Sequence, residues 1–147
     1  MNAAIISLGS VSSKLTAEAL KKYFDSVDLI NIKSIEINLG AKTPILIDGK
    51  PFGKYDCVYA KGSHRYNAIL RAITSSLPKD TYNPINPSAY TIVHDKFLTH
   101  IKLQESGIPM PSTYISSSVV AAKSLLERVN YPIIQIGRAS CRERVCH

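Results

Sequence analysis

The 147-residue chain has no tryptophan and only three cysteines. Cys57, Cys141 and Cys146 show neither zinc-site spacing nor the spacing of a disulfide framework, so neither a metal nor a cross-link is expected to hold the fold. No apolar run approaches the roughly 18 residues that a membrane-spanning helix needs. The amino terminus, Met1 to Ser7, lacks a charged leader segment and a long apolar stretch. No signal peptide is therefore expected, and the expected compartment is the cytoplasm. There is no G-x-G-x-x-G run, which excludes the usual dinucleotide fingerprint. There is also no helix-turn-helix pattern and no aromatic–basic interleaving, so a nucleic-acid partner is not expected. Of the net charge of +7, Arg138, Arg142 and Arg144 less Glu143 contribute +2, and the remaining +5 is scattered along amphipathic segments. Such an excess suits a nucleotide or an acidic substrate, and equally a plain solvated surface.

Hydrophobic residues make up 45% and charged residues 20%, the balance of a globular domain. The apolar run Ala3 to Leu8 predicts a buried strand. A polar turn, Gly9 to Ser13, follows it. A helix is then expected from Lys14 to Phe24, with Leu15, Ala19, Leu20, Tyr23 and Phe24 on its apolar face. A second strand is expected over Val27 to Ile32. This β-α-β opening favours a parallel sheet with a right-handed crossover. The turn before the first helix could face a phosphate, since helix amino termini attract anions, or it is an ordinary βα turn. Ile35, Ile37 and Leu39 alternate with polar residues as in a half-exposed strand. Pro44 to Phe52 reads as a hairpin turning at Asp48-Gly49 and capping an edge.

Tyr55 to Ala60 predicts the next core strand, with Lys61-Gly62-Ser63 at its carboxyl end, where open α/β sheets bind their ligands. Cys57 sits inside that strand and reads as a small core residue rather than a nucleophile. His64 has no second ligand at metal spacing. A helix is expected over Arg65 to Leu77, ended by Pro78. Thr81 to Pro87, with two prolines and two asparagines, marks a boundary. Two helix–strand segments follow. Phe97, Leu98, Ile101 and Leu103 lie at helical spacing, and Gly107 and Pro109 stop that helix. Val119 to Val129 reads as another helix, with Val120, Leu125, Leu126 and Val129 among its buried candidates. Tyr131 to Ile134 reads as a strand.

The order Asp95-Lys96, Leu103-Gln104, Gly107-Ile-Pro-Met-Pro-Ser-Thr113 and Tyr131-Pro-Ile-Ile134 resembles the RimK-like branch of the ATP-grasp ligases. The resemblance is good over residues 53–134 and looser before. It implies an α/β fold: a Rossmann-like pre-ATP-grasp domain over 1–87, then the start of an ATP-grasp domain over 88–134. It also implies chemistry. A carboxylate takes the γ-phosphoryl group of ATP, and an amine then displaces phosphate to leave an amide. Glutamate ligation to a protein or cofactor is one form. ATP, Mg²⁺, a carboxylate and an amine on a small molecule or protein terminus are the implied partners; a homo-oligomer is compatible with them. Lys96 matches the family lysine that reaches the ATP phosphates. A lysine in the first turn also opposes the helix dipole, which points to some other reason for it, although a surface lysine is the plain alternative. Lys61 and Arg65 match a basic position facing substrate or nucleotide; the plain alternative is a solvated side chain beside a turn glycine. Asp95 reads as a helix cap, and no catalytic residue or metal ligand is assigned in this stretch. The second phosphate lysine, the glycine-rich flap and the Mg²⁺ ligands are expected further along the family's chain. This stretch alone is therefore expected to be inactive. The alternative is a non-catalytic Rossmann-like module for a nucleotide or small acid.

Residues 135–147 break the preceding pattern. Arg138, Arg142 and Arg144 crowd with Cys141 and Cys146 in a string similar to a translated sequencing adapter. This tail is expected to be non-native and to carry no functional residue.

Overall fold

A computed structural model describes residues 1–40, 44–136 and 143–146. Arg138, Cys141 and Arg142 lie outside them. The chain divides into two compact units, 1–108 and 109–147.

The first unit is built on β1 (Asn2–Ser7), hydrogen-bonded in parallel to β2 (Ser26–Asn31) on one side and to β6 (Cys57–Ala60) on the other. Ala3, Ala4, Ile5 and Ile6 of β1 are all inaccessible to solvent. A strand covered on both faces needs apolar residues without alternation, and this run supplies them. Residues of one parity, Ala4 and Ile6 with Val58 and Ala60, enter a core with Ile30, Ile32, Leu70 and Ile73. Ala3 and Ile5 point to the opposite face, because successive side chains alternate. Fully burying Ile5 or Ile6 contributes about 1.5–3 kcal/mol.

Helix α1 (Val11–Leu20) packs on β1 and β2. Its buried residues are Ser13 and Ala17, not the predicted apolar face; Leu15 is 66% exposed and Tyr23 also faces solvent. The helix begins at Val11, three residues earlier than expected. The small residues at 13 and 17, one turn apart, form the stripe that lies against the sheet.

β3 (Ile35–Ile37), β4 (Ile45–Ile47) and β5 (Lys50–Pro51) form a second, antiparallel sheet. The predicted turn is present: Asp48 and Gly49 have φ of 48° and 73°, the paired positive values of a type I′ hairpin. This sheet does more than cap an edge, since Ile35 and Ile45 belong to the same buried cluster as Ile6 and Val58.

After β6, a 3-10 turn (His64–Tyr66) leads into α2 (Asn67–Ser75), which buries Leu70, Ile73 and Thr74. Tyr82 then bridges β6 beyond its free edge, accepting from the Val58 amide and donating to the Asp56 carbonyl, each at 2.9 Å. Helices α3 (Ala89–Ile92) and α4 (Lys96–Glu105) complete the unit. The sequence places a boundary at 87, yet Tyr90 of α3 is only 5% exposed and sits in the first unit's core. Gly107, at φ 67°, ends α4 with two bonds, Ile108 N–H to Leu103 C=O and Gly107 N–H to Gln104 C=O, both 3.0 Å. These form a Schellman cap, which requires a residue at positive φ.

In the second unit, α5 (Val119–Leu126) is capped by Ser118, which accepts from the Ala121 amide at 3.1 Å. β7 (Ile133–Ile136) pairs antiparallel with β8 (Glu143–Cys146), so the strand expected to end at Ile134 continues by two residues. Val120 is 79% exposed and Leu126 is exposed, whereas Leu125 and Val129 are half-buried. One helix and a two-stranded ladder offer too little surface to cover all four.

Two outcomes are expected. A fragment ending at Ile108 should be more stable than one ending at Pro87 by roughly 3 kcal/mol, the usual cost of removing a large buried aromatic. Denaturant melts of the two fragments measure this, and equal midpoints would refute it. Alkaline pH supplies the second test. Burial pushes the Tyr90 hydroxyl up to about 12; burial and then the hydrogen bond to Asp28 do the same for Tyr55. Both values lie above the ordinary 10 of an unfolded chain, so the folded state holds these protons more tightly. Their stabilisation is complete below pH 10 and should be lost as pH rises to 12, read as a falling melting temperature alongside rising tyrosinate absorbance.

Candidate functional site

The strand order β2-β1-β6 places the reversal of connection direction between β1 and β6. The chain leaves β1 toward β2, returns, and adds β6 on the opposite side. Open α/β sheets form a crevice at such a point, beyond the carboxyl ends of the strands. A cleft of about 180 Å³ lies there. Ser7, Leu8, Ser10, Ser12 and Ser13 line it from the end of β1 and the start of α1, and Lys61, Gly62 and Ser63 line it from the end of β6.

Local chemistry fixes each wall. Gly9, at φ 76°, turns the chain out of β1, and its amide donates to the Ser7 hydroxyl at 3.1 Å. Ser10 caps α1, accepting from the Ser13 amide at 3.3 Å. Its hydroxyl also shares hydrogen bonds with those of Ser12 at 3.1 Å and Ser13 at 2.9 Å. Across the cleft the Lys61 amide donates to the Ile6 carbonyl at 2.8 Å, continuing the sheet by one bond. The Lys61 ammonium donates to the Ser12 hydroxyl at 2.9 Å.

The electrostatic character of the cleft has one sign. Among the described residues, Lys61 is the ionisable one in the lining and no carboxylate lines the cleft. The amino terminus of α1 adds partial positive charge, so the cleft suits an anion. Residues 9–13 and Lys61, which the sequence offers as separate candidates, are thus brought together. Arg65 lies in the neighbouring 3-10 turn, exposed and outside the lining. Lys96 is the first residue of α4, also exposed and outside it. Asp95 caps α4 as expected, accepting from the Leu98 amide at 2.9 Å. Burial raises the Cys57 thiol above its ordinary pKa, which leaves it less nucleophilic and fits a core role.

Two residues escaped the sequence reading. Tyr90, which carries no motif, donates from its hydroxyl to the Ala60 carbonyl at 2.6 Å. His64 does have a histidine neighbour: His94, whose ring meets it edge to face with centroids 6.3 Å apart. Thirty positions separate the two in sequence, so no local spacing reveals the pair. Among the described residues, no group of three or more His, Cys, Asp or Glu side chains could hold a metal ion.

Gly62 lets the lysine loop approach α2. A Cβ there would stand 3.1 Å from Leu70 Cδ1 and 3.5 Å from Tyr66 Cβ. Leu70 is fully buried and has little room to yield. Gly62→Ala should therefore destabilise the fold by about 1–2 kcal/mol, the range for an overpacked methyl group. An unchanged denaturation midpoint would show that the loop relaxes freely.

No protein-family profile matches the chain. It is 29% identical over 133 residues to the glutamate–LysW ligase ArgX of Sulfolobus acidocaldarius, a match covering 90% of the chain and 43% of that relative. The chain thus spans less than half the length of this curated relative. Its fold is similar to a RimK domain ATP-grasp protein of Sphaerobacter thermophilus, with a TM-score of 0.66, 18% identity, and coverage of 91% of the chain and 48% of that protein. It is also similar to the ATP-grasp ligase PsnB, solved with a minimal precursor, Mg and ADP, at a TM-score of 0.63, 15% identity, and coverage of 99% and 57%. The parallel sheet, the cleft at its carboxyl edge and the Asp95-Lys96 helix opening accordingly belong to a chain that is similar, in sequence and in fold, to part of the RimK-like ATP-grasp ligases.

Proposed function

We propose that the chain is part of an ADP-forming carboxylate–amine ligase, with glutamate as a substrate joined to a protein or cofactor. The observation that carries this reading is the cationic, hydroxyl-lined cleft where the strand order reverses. At about 180 Å³ it is smaller than the ~300–1,000 Å³ of pockets that hold a drug-sized ligand. It suits a small acid or a single anionic group rather than a whole nucleotide. Lys61 neutralises and orients that anion, the serine hydroxyls donate to it, and Arg65 adds positive charge nearby. Lys96 is assigned separately, to the phosphates of ATP, through its place in the Asp-Lys helix opening.

In this reading a carboxylate oxygen attacks the γ-phosphorus of ATP and ADP leaves. The amine then attacks the acyl phosphate, releasing inorganic phosphate and a proton and leaving the amide. Lysines suit phosphate as point charges. Mg²⁺, where bound with the nucleotide, would supply positive charge to offset the negative charge of the phosphates. The described residues bring no ligand set together for it, so no step is assigned to the metal here.

The test uses the full-length protein encoded at the source locus, resequenced across the codons for residues 134–147. With ATP, Mg²⁺, glutamate and candidate amines, ADP release should depend on both acid and amine. Lys61→Ala should raise KM for the acid by roughly tenfold or more, the scale of a hydrogen bond to a charged group. Lys96→Ala should do the same to KM for ATP. ADP release indifferent to both substitutions would sink the assignments. Anion binding without turnover would favour a non-catalytic module.

A further inference from the structure

Lys61 and Lys96 sit on different elements, and a reaction between groups bound to each needs them held in fixed register. We infer that Tyr90 is the positioning residue that sets this register, an inference that rests on the ligase reading. Its phenol is buried, and its hydroxyl donates to the Ala60 carbonyl at 2.6 Å, the residue immediately before Lys61. On its own side, α3 is tied to α4 by the Thr99 hydroxyl, which donates to the Ile92 carbonyl at 2.8 Å. A continuous path therefore runs from the end of β6 through Tyr90 and α3 to the first turn of α4, which carries Lys96. On the near side, the Lys61 amide is bonded to Ile6 of β1, so the path starts from the most buried strand.

Two further contacts brace the same joint. His64, in the turn after the lysine loop, meets His94, two residues before Lys96. Arg71 of α2 donates to the Thr91 hydroxyl of α3 at 3.0 Å. Both contacts are between solvent-facing or half-exposed side chains. The Tyr90 bond is the buried one, and in a low-dielectric setting it is the stiffest of the three. Ring burial alone would hold α3 against the core but would leave it free to slide along its axis. The directional hydroxyl–carbonyl bond removes that freedom.

Tyr90→Phe keeps the ring and deletes the bond. Thr74→Val is the control, since Thr74 also buries a hydroxyl that donates to a carbonyl, that of Leu70 at 2.8 Å, but within α2. In the 147-residue chain, hydrogen exchange at the Lys61 amide and across residues 91–99 should accelerate together by roughly fivefold to tenfold in Tyr90→Phe. Exchange in β2 should not change, and Thr74→Val should leave residues 61 and 91–99 at wild-type rates. In the full-length ligase, Tyr90→Phe should lower kcat by about tenfold with both KM values within about twofold of wild type, because each ligand still binds but the two are out of register. Exchange at Lys61 equal to that of Thr74→Val, or a kcat no lower than that control, overturns the inference. A wild-type parent that joins no acid to any amine overturns the ligase reading and with it the catalytic role. The exchange result separately decides whether Tyr90 forms the joint.

Discussion

Parallel pairing of β1 on both of its edges is the constraint from which the site follows. Six residues of β1 are in register with β2, and four are in register with β6. A strand with solvent on neither face must satisfy its amides and carbonyls through neighbouring strands, because an unpaired buried backbone group costs about as much as a lost hydrogen bond. Burial of Ile5 and Ile6 alone does not decide the matter. Their apolar gain of about 1.5–3 kcal/mol each is matched by the ~1–2 kcal/mol of backbone entropy lost at every residue of the strand. The complete hydrogen bonding of a central strand is what removes the alternatives. Once β2 takes one edge and β6 the other, the connections diverge at the carboxyl end of β1, and the crevice there is a geometric consequence.

Much of the fold is legible because its signals are local. The apolar runs of β1, β2 and β6, the Asp48-Gly49 turn and the Gly107 stop each depend on a few adjacent residues, and each lies where its chemistry places it. The face of α1 was not legible for a physical reason. Hydrophobic periodicity favours Leu15 and Tyr23, whereas close packing on a sheet favours Ser13 and Ala17, and packing prevailed. The cleft was half legible as a place in the fold. Lys61 at a strand end is a topological expectation, but its bond to Ser12 spans 49 positions and has no sequence signature. Tyr90 and the His64–His94 pair were hidden in the same way. Lys96 remains an assignment by resemblance, since it lies outside the cleft lining.

All residues lining the cleft belong to the first unit. So do Tyr90, Ala60 and Lys96, the parts of the proposed joint. The anion contacts proposed for the cleft therefore all come from the first unit. This separates two roles that the resemblance alone runs together. In the proposed reading, recognition of a small anion rests on the first unit's topology, whereas phosphoryl transfer draws on the wider architecture of the family.

The Lys61–Ser12 bond bears on how an anion could enter. The Lys61 ammonium already has a partner; it donates to the neutral Ser12 hydroxyl at 2.9 Å. In the proposed reading a carboxylate or phosphate oxygen competes for that donor with an advantage, because it sets a full negative charge opposite the ammonium where Ser12 offers only a neutral oxygen. The same exchange releases the Ser12 hydroxyl, which can then turn its proton toward the incoming oxygen. In the proposed reading, the serine that now accepts from the lysine would become a donor to the bound anion. Binding then needs reorientation of one hydroxyl and one flexible side chain, with the backbone of both loops already fixed by Gly9, the Ser10 cap and the Lys61 amide bond to Ile6.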